Sequence, residues 1–97
     1  MSKLSVFLLE NEEQMNLYTQ AISKVHVKIH PEVLEIQKFY QSILQKIKNG
    51  TVDVSYEFRR LDEITNHFST PKDVCQTYEA VIEFLKEAFY FHNDLVG

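Results

Sequence analysis

Cysteine occurs once in these 97 residues, glycine and proline twice each, and tryptophan not at all. With Cys75 alone, no disulfide framework can form within the chain and nothing requires an oxidising compartment. So few glycines and prolines cannot supply the many tight turns of an all-β fold, so long helices joined by few turns fit better. No stretch approaches the ~20 apolar residues needed to span a bilayer. "LSVFLL" looks superficially like the core of a secretory leader. It is only six residues long, lacks a small-residue cleavage site and meets Glu10, Glu12 and Glu13 at once. The sequence therefore predicts a cytoplasmic protein.

Positive charge is also in deficit, with ten Lys and Arg against fourteen Asp and Glu, for a net charge of −4. Five lysines fall between Lys24 and Lys48, against Glu32 and Glu35 alone, while the segment from Pro71 onward holds two lysines and five acids. No clustered basic footprint exists to neutralise a phosphate backbone, so nucleic acid is not an expected partner. Gly-rich phosphate loops, G-x-S-x-G and Cys-x-x-Cys are all absent. His26 and His30 are four apart, as are Glu63 and His67, but the first pair falls in "VHVKIH", read as an extended connection before Pro31. Neither a metal nor a cofactor is expected. Cys75 is read as a small buried hydrophobe in the first turn of the last helix. Adjacent Arg59 and Arg60 diverge. These readings exclude the usual catalytic constellations and predict that the chain is not an enzyme.

Hydrophobic residues make up 44% of the chain and recur at helical spacing. In a first segment, about Lys3 to Lys24, Leu4, Leu8, Met15, Tyr18, Ile22 and Val25 form one heptad-like stripe. A second helix starts at Pro31, buries Val33, Ile36, Tyr40, Ile43, Leu44 and Ile47, and stops at Asn49-Gly50. A third, capped by Asp53 or Ser55, turns Phe58, Leu61, Ile64 or Thr65, and Phe68 inward. The fourth is capped by Thr70, with Pro71 at its first position. Four amphipathic segments with short links predict a single all-α domain over 1–97, an antiparallel up-and-down four-helix bundle.

The last helix is unusually apolar. Val74, Tyr78, Val81, Leu85, Phe89 and His92 share one side, flanked by Ile82 and Ala88. Ala80, Phe84 and Phe91 widen the arc to about 200°, beyond the ~100° stripe a surface helix needs. Two readings account for the excess: cover by the first and third helices, or an exposed patch of Phe84, Tyr90 and Phe91 that binds a protein partner.

"HPEVLEIQKFYQSILQKIKNG" followed by "YEFRRLDEITNHF", with Arg60-Leu61 inside it, and then a longer final helix, resembles the immunity proteins against pediocin-like (enterocin A-type) bacteriocins. The resemblance covers nearly the whole chain. It implies a cytosolic four-helix bundle that acts stoichiometrically, recognising a bacteriocin-occupied receptor, the sugar-transporter component in the membrane. Family members often carry a recognition tail after the last helix. At most a few residues follow His92 here, which moves the expected contact to the last helix: Phe84, Tyr90 and Phe91 as anchors, Glu83, Glu87 and Asp94 as a charged rim. Two other classes remain open: a small regulatory or adaptor protein, for instance phage-encoded, that binds one cytosolic protein, and a self-associating module. The chain would be a monomer or a homodimer.

Overall fold

The computed structural model describes residues 2–50 and 53–96, with side chains up to 93. These residues are all-helical: α1 (Lys3–Glu10), α2 (Glu12–Val25), α3 (Glu32–Lys48), α4 (Ser55–Ile64) and α5 (Gln76–Val96). Five helices stand where four were expected, because the first segment breaks at Asn11. The Asn11 side-chain amide donates to Phe7 O at 2.8 Å, offering that carbonyl a partner outside the helical ladder. Ser2 caps α1 by accepting the Ser5 N–H at 3.1 Å, and Glu12 and Glu13 favour the start of α2.

Leu4, Leu8, Met15 and Ile22 are buried as their spacing predicts, but Val25 is 72% exposed and Thr19 lies inside in its stead. Val25 is the last residue of α2 and stands about 60° round the helix from Ile22, away from the side that Thr19 occupies. "VHVKIH" is also not extended: His30 N–H donates to His26 O at 2.7 Å and closes a turn. α3 buries Val33, Ile36, Tyr40, Ile43 and Leu44, joined by Phe39. Gly50 follows it at φ 83°, the left-handed conformation a helix end commonly takes.

Asp53 accepts the Ser55 N–H at 3.2 Å ahead of α4. Inside α4, Glu57 is buried yet stays charged. Burial pushes its carboxyl pKa up, but Lys46 at 2.7 Å and the Ser42 hydroxyl at 2.9 Å outweigh this and leave it lowered. Beyond Ile64, Asn66, His67 and Phe68 are all left-handed (φ 52°, 64° and 58°), a conformation costing L-residues roughly 1–2 kcal/mol each. The turn is held by His67 N–H on Asp62 O at 2.7 Å and Phe68 N–H on Thr65 Oγ1 at 2.8 Å. It delivers the Phe68 ring to within 5.1 Å of Phe89.

α5 begins at Gln76, not at Pro71. Thr70 does not cap it. Cys75 stands just before it, and its backbone carbonyl accepts the Glu79 N–H at 3.1 Å. Cys75 is exposed rather than a core residue. α5 packs on α1 and α2, while α3 packs on α2 and α4. The Cα radius of gyration, 12.6 Å, matches the roughly 12.5 Å of a closely packed chain of this length.

Candidate functional site

The part of the α5 arc that holds Phe84 and Phe91 is covered from α1 by Phe7. Phe84 is only 7% exposed. Its ring stacks on Phe7 with centroids 4.7 Å apart and planes 18° apart, and meets Tyr40 edge-on at 6.2 Å. As a surface anchor, Phe84 is therefore corrected: its ring is core. Phe91, two turns on, is half-buried against Phe7 at 5.1 Å.

Between α1 and the end of α5 lies a groove of about 340 Å³ lined by Lys3, Val6, Phe7, Glu10 and Phe91. Its floor is apolar and aromatic, and one charge of each sign stands at its edge, the arrangement of an apolar centre within a polar rim. Glu87 is exposed and lies one turn before Phe91 on the same face. Tyr90, 56% exposed, continues that face and borders a depression of about 430 Å³ with Glu83, Lys86 and Glu87. Asp94 belongs to α5, and its side chain lies outside the described residues. The five expected contact residues thus divide: Phe91, Glu87 and Tyr90 make one outer face, and Phe84 supports it from beneath. Val6 and Phe7 were not among them. Their signal was the unexplained arc itself, which needed a covering ring, and Phe7 sits three residues after Leu4 on the inward side of α1.

A second cluster joins the turn before α3 to the loop before α5. His26 Nε2 lies 3.2 Å from Cys75 Sγ, and the Tyr78 ring lies edge-on to His26 at 5.4 Å and to His30 at 5.7 Å. The hydrogen bond from His26 is the largest of the effects that lower the Cys75 thiol to about 7. His30 bridges two carboxylates, Glu32 at 2.9 Å and Asp73 at 3.0 Å. Burial works against its charge, but the carboxylates prevail and its pKa is raised. A histidine raised in the folded state contributes stability that is complete below its unfolded value, 6.5, and is lost as pH rises through the folded value. Denaturant unfolding of His30→Gln should therefore show a deficit of about 0.5–1 kcal/mol near pH 5.5 that shrinks as pH rises through the folded value. A deficit independent of pH would contradict the bridge.

Among the described residues, no group of three or more His, Cys, Asp and Glu is arranged to hold a metal ion. Glu63 pairs with Arg60 at 2.9 Å rather than with His67, which turns to Asp62 at 3.1 Å. His92 is buried, and that burial lowers its pKa. No helix among the described residues is long and apolar enough to cross a membrane. No protein-family model, curated protein or solved structure matches this chain.

Proposed function

We propose that this chain is a non-enzymatic, stoichiometric binding protein that takes a protein partner on the face formed by the α1–α5 groove, Glu87 and Tyr90. In this reading it is a cytoplasmic bacteriocin immunity protein of the pediocin-like class. The partner is the bacteriocin-occupied sugar-transporter component of the membrane, and neither cofactor nor nucleic acid takes part. In this reading α1 and α2 count as one bent arm of an antiparallel up-and-down four-helix bundle. The observation that carries the proposal is the half-buried Phe91 in an apolar groove beside the exposed ring of Tyr90. Aromatic side chains in a partly desolvated setting are the residues that most often dominate protein interfaces. Apolar surface left in a groove is also more readily explained by contact than by stability.

Binding should be measured between the purified protein and the detergent-solubilised transporter component, with and without a pediocin-like bacteriocin. The expected result is association only when the peptide is present, weakened at least about tenfold by Tyr90→Ala combined with Phe91→Ala. Association with the transporter regardless of peptide would favour the adaptor reading. No association with any bacteriocin of the class would overturn the immunity reading.

A further inference from the structure

α2 carries an apolar ridge that no other part of the described fold covers. Leu17, Ala21 and Val25 recur every four residues along it, and Leu17 and Val25 are 62% and 72% exposed. Side chains four apart lie above one another on one helical face, so the three form a continuous row. Ile29, in the turn beyond α2, is exposed as well. The row is distinct from the α1–α5 groove and shares only Glu10 with its surroundings.

Charge along this face is arranged by position. Glu10 and Glu13 stand exposed at one end, and Lys24 and Lys28 stand exposed at the other. A surface acidic at one end and basic at the other is complementary to itself, but only when the second copy runs the opposite way. A parallel copy would set acid against acid and base against base. The small Ala21 at the middle of the row lets two backbones approach closely.

We infer that α2 forms an antiparallel, two-fold symmetric contact with a second copy of this chain. The axis passes between Leu17 and Ala21, so Leu17 packs on the partner's Ala21 while Glu13 and Glu10 face the partner's Lys24 and Lys28. Such an isologous contact makes every favourable pair twice. One helix face per subunit is a small interface, so the dimer is weak, with a dissociation constant on the order of 10–100 µM. This contact stands independently of the immunity reading, since it uses another face and needs no bacteriocin.

Sedimentation equilibrium on the full chain from about 10 µM to 1 mM tests it. The wild type should pass from monomer to dimer across that range, and a monomer at the highest concentration would overturn the proposal. Ala21→Arg keeps a strong helix former on an exposed position, so circular dichroism and melting should be unchanged while the dissociation constant rises at least about a hundredfold. A dimer indifferent to Ala21→Arg would place the interface elsewhere and also overturn the proposal. Glu13→Lys and Lys24→Glu should each weaken self-association about tenfold at low salt, by setting like charges opposite one another twice. An equimolar mixture of the two variants restores opposite charges at both positions and should dimerise about as well as the wild type. Failure of the mixture to recover would contradict the antiparallel register.

Discussion

Replacing Phe84 with alanine should destabilise the fold by about 3–5 kcal/mol, the range for truncating a buried phenylalanine. One of the two readings of the sequence placed this ring with Tyr90 and Phe91 on a contact patch, where its removal would leave stability untouched. The structure instead packs it between Phe7 and Tyr40. Truncation would lose the stacked pair as well as transfer free energy, and it would open a cavity beneath the α1–α5 groove. In a chain of 97 residues, 3–5 kcal/mol is a large share of the total stability. The midpoint of thermal unfolding should fall by well over 10 °C. Tyr90→Ala, on the outer face of the same helix, should change it by less than about 0.5 kcal/mol. Urea melts of the two variants side by side give the comparison, and equal losses would contradict the assignment of one ring to core and the other to surface.

Alkylation of Cys75 by iodoacetamide should rise with pH about a midpoint near 7, against 9.0 for an unperturbed thiol on the same scale. The physical cause is local. The His26 ring at 3.2 Å donates to the sulfur when its Nε2 carries the proton, and the backbone at the start of α5 adds a smaller lowering influence. His26→Ala removes the largest of these effects and should move the midpoint up towards the unperturbed value. The rate at pH 7 is a poorer readout. Raising the pKa lowers the thiolate fraction but makes the remaining thiolate more nucleophilic, so the two effects partly cancel. An unmoved midpoint in His26→Ala would show that the ring does not act on the sulfur.

Where one period governed a whole element, the sequence was legible. The all-helical class and the buried row of α3 followed from apolar spacing, because packing there requires only a stripe facing inward. Three features did not follow, each for a local reason. The break at Asn11 depends on a side-chain amide reaching the Phe7 carbonyl, and an asparagine in a helical pattern does not announce that bond. The late start of α5 goes with Asp73 being held by His30, 43 residues away in sequence. The left-handed run at Asn66, His67 and Phe68 contains no glycine to mark it.

The candidate site was half legible for a related reason. A helical wheel shows how wide the apolar arc of α5 is but not which part of it a neighbour covers. Phe84 and Phe91 are seven residues apart on nearly the same face, and contacts from Phe7 and Tyr40 make the first core, while Phe91 touches Phe7 and lines the groove. Val6 became part of the surface through the same contact.

The most direct test of the groove as a contact surface is protection by Val6→Asp in cells sensitive to a pediocin-like bacteriocin, with the melting temperature of the purified variant measured alongside. Val6 lines the groove and is 38% exposed, so a carboxylate there can reach water without unfolding α1. The account predicts that the wild type protects, and that Val6→Asp melts within a few degrees of it while protection is lost. Full protection by a variant that carries a charge in the middle of the groove would contradict the account.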